Sequence, residues 1–173
     1  NPVKTNVCRN YNEALDLVPP FCAFVVMTSN DIFVRPDWFS ALHRVFEVCD
    51  DAEVATVAAS QLRQPHTPGK HHIKEGVYTP FMMLRNGWRF DEESFPDAWN
   101  DTDLIMRVYM QGKRAYRNHA SLVHHMGEGR QTMPTAEQEP RQAAARQRFI
   151  DKYYKTDTAL PDMFRILLEG QII

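Results

Sequence analysis

The stretch "FCAFVVMTSNDIFVRPDWF", residues 21–39, decides how the chain is read. Phe24, Val25, Val26 and Met27 form an apolar run of the kind expected for a strand buried on both faces. Thr28, Ser29, Asn30 and Asp31 follow with no loop-like padding, and apolar residues resume at Ile32, Phe33 and Val34, as if re-entering a core directly behind the acid. In open α/β sheets ligands sit beyond the carboxyl ends of strands, where an acid can hold a cation or a sugar. The alternative is that Asp31 only begins a turn or caps a helix.

Outward from that stretch, strands and helices alternate, which predicts an α/β protein with a mixed sheet flanked by helices. Upstream, "RNYNEALDLV" (9–18) places Tyr11, Leu15 and Val18 on one helical face, and Pro19-Pro20 stops it. Downstream, Pro36 suits a first helical turn, and Trp38, Phe39, Leu42, Val45, Phe46 and Cys49 recur at helical spacing. "EVATVAAS" (53–60) reads as a buried strand, "LRQPHTPGKHH" (62–72) as a loop, and residues 76–91 as a strand, a turn at Asn86-Gly87 and a return strand. "NDTDLIMRVYMQG" (100–112) is a helix capped by Asn100 or Asp101 and stopped by Gly112. Two short strand-like pieces fill 113–126. A last helix, started by the Thr135/Gln138 capping box or by Pro140, runs to about Tyr154, and residues 156–173 form an amphipathic tail.

The chain has 173 residues, is 43% hydrophobic and 24% charged, and carries a net charge of −2, as befits an ordinary globular domain. That balance predicts no general attraction to nucleic acid or anionic membrane. The longest apolar runs are far short of the ~20 residues that span a bilayer. Three cysteines outside any CxxC pattern, and a first stretch unlike a secretion signal, suggest a reducing, cytoplasmic setting.

Besides Asp31, two polar clusters invite a chemical reading. In "FPDAWNDTDLIMRV" (95–108), Asp101 and Asp103 stand at a helix start, where the dipole favours negative charge. One acid would suffice as a cap; two acids flanked by Asp97 and Trp99 read either as a site, with Asp101 as a general base and Trp99 as a stacking surface, or as an ordinary acidic first turn. His124-His125 ends an apolar strand, and alternation turns one imidazole inward, where it can face a carboxylate site as a metal ligand or serve as a hydrogen-bonded structural residue.

Taken in order, these clusters resemble family 2 glycosyltransferases of the GT-A fold. "FVVMTSNDIFVRPDWFSAL" is similar to the family's apolar strand ending in an Asn/Asp-x-Asp motif. "NVCRNYNEALD" is similar to the helix before it, and "FDEESFPDAWNDTDLIMRVYMQGKRAYRNHASLVHHMGEG" resembles the block containing the catalytic acid and a strand ending in histidine. "RFIDKYYKTD" is similar to the segment that often closes such domains. The match covers about residues 6–155.

The resemblance implies a metal-dependent, inverting transfer of a sugar from a nucleoside-diphosphate donor to an acceptor hydroxyl, with Mn²⁺ or Mg²⁺ as cofactor. It implies that Asp31 and His124 hold the metal and that Asp101 is the base, while Asn30, Trp99, Asp103 and Arg107 serve substrate binding or support. It also implies a GT-A-like, Rossmann-like core over residues 1–134, incomplete at its N-terminal, nucleotide-binding side, and a helical segment over 135–173 packing on that core. A missing half or a partner chain would complete such a core. Two positions depart from the pattern: Ser29 stands where a stronger metal ligand is usual, and Asn100 where a glutamate is usual. Those departures keep open a non-catalytic descendant acting as a binding or assembly module, for example of a virion. A metal-dependent hydrolase built on the same acids explains less of the motif order.

Overall fold

A computed structural model describes residues 6–60, 73–77, 79–126 and 135–154, with backbone alone at 59–60 and 135–138. The expected loop at 62–72 and the tail at 156–173 lie outside the described residues. The order of elements is α1 (Val7–Asp16), β1 (Phe24–Thr28), β2 (Ile32–Val34), α2 (Trp38–Val48), β3 (Ala52–Ser60), β4 (Ile73–Glu75), β5 (Phe81–Arg85), α3 (Asn100–Met110), β6 (Arg114–His125) and α4 (Thr135–Tyr153). None of the described helices is long and apolar enough to cross a membrane. The elements group into two compact units, one of Asn1–Leu17, Arg89–Arg107 and Thr132–Ile173, the other of Val18–Trp88 and Val108–Gln131. α4 thus clusters with α1 and the start of α3.

The second unit holds a six-stranded mixed sheet in the order β1-β5-β3-β6-β2, with β4 also on β6. Among the described strands β3 and β6 alone run parallel; the other pairings are antiparallel. β1 and β2 lie at opposite ends of that path, yet only Ser29–Asp31 separate them in sequence. Such a link spans at most about 15 Å. Flat strands at ~4.8 Å spacing would put those edges at least ~19 Å apart. The sheet therefore curls until it is nearly closed.

Its core cluster takes Leu42 and Val45 from α2, Ala55 and Val57 from β3, Phe81 and Met83 from β5, and Val123 from β6. Residues two apart on β3 and on β5 share that face, as the strand period requires. Burial of each large side chain here contributes roughly 1.5–3 kcal/mol. Val54, Thr56, Met82 and Leu84 on the alternate positions are buried as well, so the central strands lack a solvent face.

Several expectations are corrected. β1 is an edge strand of largely half-buried residues rather than one buried on both faces, because among the described strands β5 alone pairs with it. Behind Asp31 the chain forms the short edge strand β2, in which Phe33 and Val34 are exposed. Asn86-Gly87 does turn the chain, but no return strand follows among residues 88–91. Residues 114–125 make one long strand, not two. Its first half lies between β3 and β4 and its second between β3 and β2, and the ladder with β3 shifts register beyond Asn118. Buried Asn118 satisfies that irregularity, accepting from the Ala120 amide (2.9 Å) and donating to the Ala41 carbonyl (2.9 Å). α1 starts earlier than the pattern predicts because the Asn6 side chain caps the Arg9 amide. Gly112 stops α3 with a left-handed φ of 73°, as its position implied. α4 begins at Thr135 and keeps Pro140 inside it.

Candidate functional site

The turn after β1 is held from both sides. Ser29 donates its amide to the Pro80 carbonyl (2.9 Å), and the Asp31 carbonyl accepts from the Met126 amide (2.8 Å). The pairing Ile32↔His125 brings the end of β6 beside this turn. His125 Nε2 consequently lies 3.1 Å from Asp31 Oδ1, with the two side chains 19% and 37% exposed. His124, the expected ligand, pairs with Phe33 one step back, and alternation turns it to the opposite face from His125. Asn30 lies exposed in the turn.

Mg²⁺ is often held by only one or two protein carboxylates, with substrate phosphates and water completing the shell. Asp31 with His125 beside it fits that modest requirement. Among the described residues no group of three or more His, Cys, Asp or Glu stands together to hold a metal by itself.

The other candidates, Trp99, Asp101, Asp103 and Arg107, lie in the first unit at the start of α3. Asp101 is half-buried. Its Oδ1 accepts from the Thr102 amide (2.8 Å), while its own amide donates to Asn100 Oδ1 (2.8 Å). Among the described residues no cation pairs with its carboxylate.

Asp103 has a different character. It is completely buried, and its carboxylate accepts from the Tyr153 hydroxyl (2.5 Å), Lys152 Nζ (2.7 Å) and Arg107 Nε (2.8 Å). Lys152 also reaches Asp91 (2.8 Å), and Arg107 donates to the Arg89 carbonyl (2.7 Å). Burial by itself would raise the Asp91 carboxyl, but the Lys152 hydrogen bond and those from Ser94 hold it well below the usual carboxylate range. Burial would likewise lower the Lys152 ammonium, and the hydrogen bonds to Asp103 and Asp91 outweigh it and raise it. Burial, reinforced by the hydrogen bond to Asp103, pushes the Tyr153 phenol far up. Asp103 and Arg107 therefore tie α3 to α4 and to the 89–91 segment, and a fully buried, thrice-bonded carboxylate is ill-suited to bind substrate.

Trp99 carries the one non-glycine positive φ among the described residues, 63°. A bulky side chain in the left-handed region is an outlier costing on the order of 1–3 kcal/mol. The Trp99 carbonyl accepts the Asp103 amide (2.8 Å), so this strained residue starts α3. Its indole Nε1 donates to Gln142 Oε1 (3.0 Å), and its ring lies 5.4 Å from that of Phe149. In the same unit Cys8 is wholly buried, donates to the Phe95 carbonyl (2.8 Å) and accepts from Asn100 Nδ2 (3.0 Å). Burial pushes its thiol up to about 11, which makes it a packing group rather than a nucleophile. Asn100, standing where a glutamate was expected, is thus engaged structurally.

Of the His124-His125 pair the resemblance implied His124, and it is His125 that meets Asp31; the residues not singled out from sequence are Asp91, Gln142, Lys152 and Tyr153. Signals for two existed: Lys152 and Tyr153 lie in "RFIDKYYKTD", the stretch similar to the closing segment of the family. A cleft of about 610 Å³ opens beside α2, lined by residues including Phe39, His43, Arg44 and Asn118, and none of the candidate residues lines it. No family model and no curated protein sequence matches the chain.

Proposed function

We propose that the chain is the acceptor-side part of a glycosyltransferase that moves a sugar from a nucleoside-diphosphate donor to an acceptor hydroxyl with inversion. The observation that carries this reading is the meeting of Asp31 with His125. The acid that follows one motif strand and the histidine that ends another stand 94 residues apart in the chain, and they are the two ends that the family resemblance implies should share a site.

In this reading Asp101 accepts the proton of the acceptor hydroxyl as its oxygen attacks the anomeric carbon from the side opposite the departing diphosphate. The C–O bond to the new glycoside forms as the bond to the nucleoside diphosphate breaks. Asp31 and His125 would hold a divalent cation brought with the donor, and that ion would supply neutralisation of the leaving group's charge. His125 takes the place that the sequence motif suggested for His124. Asp103 and Arg107 support the helix that carries the base.

The test is calorimetric titration of the folded protein with UDP- and GDP-sugars in the presence of Mn²⁺, repeated with any upstream sequence of its reading frame appended. Cation-dependent binding is expected, and absence of binding in both forms overturns the reading. Asp101→Asn should lower transfer by on the order of 10²–10⁴-fold while leaving donor affinity nearly unchanged, because a base acts on the acceptor. A collapse of donor affinity instead would remove Asp101 from that role. One observation favours a non-catalytic sugar-binding module as the second reading: Asp31 has a weak neighbour in Ser29 and, among the described residues, one histidine partner. Carbohydrate binding that is indifferent to nucleotide and to Mn²⁺ would select it.

A further inference from the structure

We infer that α4 is a clamp on the first turn of α3, and that Gln142, Lys152 and Tyr153 are positioning residues for the Asp101 carboxylate. The chemical use of Asp101 rests on the function proposed above; the clamp itself is a property of the first unit alone.

Four contacts from one helix converge on the two residues that bracket Asp101. Gln142 accepts from the Trp99 indole (3.0 Å), Phe149 lies against the same ring (5.4 Å), and Lys152 and Tyr153 both donate to Asp103 (2.7 and 2.5 Å). Trp99 and Asp103 are joined in turn by the first backbone hydrogen bond of α3 (2.8 Å). Asp101 therefore sits in a turn pinned at its beginning and at its end, and its own hydrogen bonds among the described residues are to Asn100 and Thr102.

A merely structural helix start would not need this arrangement. The Asn100 side chain already satisfies the Asp101 amide, and a glycine would adopt the left-handed backbone at position 99 without strain. A tryptophan held at φ 63° persists only where its surroundings over-determine it. Here the surroundings are the α4 side chains. The consequence is a carboxylate whose direction is set by a helix some 40–50 residues further along the chain, while among the described residues no cation pairs with its oxygens.

The experiment uses the full chain and three variants, Gln142→Ala, Gln142→Glu and Tyr153→Phe. Gln142 is exposed, so its variants should fold even if Tyr153→Phe does not. In Gln142→Ala the Trp99 indole NMR resonance should move, and the Thr102 and Asp103 amides should exchange with solvent about fivefold faster, the change that loss of one ordinary hydrogen bond produces. Gln142→Glu keeps an acceptor for the indole and should match the parent in both measurements. In an active enzyme, Gln142→Ala and Tyr153→Phe should lower kcat by on the order of 10–100-fold with donor KM unchanged, as expected for a misaimed base.

Unaltered exchange and indole resonance in Gln142→Ala overturn the clamp, as does an unchanged kcat in an active enzyme. If neither the chain nor its form with upstream sequence appended binds a sugar donor or transfers sugar, the function proposed above falls. The exchange and resonance measurements then still decide the clamp by themselves.

Discussion

Asp103 and Asp31 are two acids that look alike in the sequence and face opposite circumstances in the fold. Asp103 is fully buried and takes hydrogen bonds from a phenol, an ammonium and a guanidinium. Asp31 is 37% exposed and has one imidazole beside it. A carboxylate removed from water is tolerated only when its lone pairs are filled, because desolvation costs several kcal/mol per ion. The difference separates the acid that holds the fold from acids whose oxygens stay accessible. Asp101 belongs with Asp31, although only Thr102 separates it from Asp103.

That contrast can be broken by substitution. The largest effect is expected from Asp103→Ala, which leaves Lys152 with Asp91, leaves Arg107 with the Arg89 carbonyl, and removes the acceptor of the Tyr153 hydroxyl. Breaking a buried pair costs ~3–5 kcal/mol, and partial exposure of Lys152 (31%) and Arg107 (28%) places the loss near ~3 kcal/mol. Denaturant unfolding measures it; a loss below ~1 kcal/mol would erase the distinction between the two acids.

Next comes pH. Asp91 is held below its unfolded value, so its contribution is present above about pH 4 and fades as pH falls toward the lower folded value. Tyr153 and Lys152 are raised, so their contributions are full below about pH 10 and are lost as pH rises through their folded values. Stability of the first unit should therefore decline at both extremes, and Lys152→Met should flatten the acid limb.

His125→Ala should change stability by less than ~1 kcal/mol, since its pair with Asp31 is partly solvated. Smallest of all, Asp101→Asn should stay within ~0.5 kcal/mol in denaturant unfolding, because an amide oxygen can still accept from Thr102. A large loss there would make Asp101 a structural acid like Asp103.

Local signals in the sequence were legible and long-range partners were not. Apolar spacing found α2, and a capping residue and Gly112 marked the two ends of α3, because periodicity, capping and backbone freedom are properties of neighbouring residues. The apolar run at 24–27 suggested a doubly buried strand, yet strand order put it at an edge, and order is not written in composition. Alternation narrowed the inward histidine to His124 or His125, but parity depends on the pairing of β6 with β2 beyond the irregularity near Asn118. The same holds for Asp103. Its acidity and helix-start position were visible, while Lys152 and Tyr153, which decide its role, lie 49 and 50 residues away.

The parallel ladder of β3 with β6 has a kinetic consequence. Ala52 faces Arg114, and Ser60 faces His124, so every rung of that ladder joins residues about sixty positions apart. Loop closure over that distance must precede the reward of the ladder, which places such topologies toward milliseconds to seconds rather than microseconds. β2 can dock only on a β6 already in place, so the encounter of Asp31 with His125 is expected among the last steps of folding. Its appearance in a refolding experiment would time the completion of the sheet.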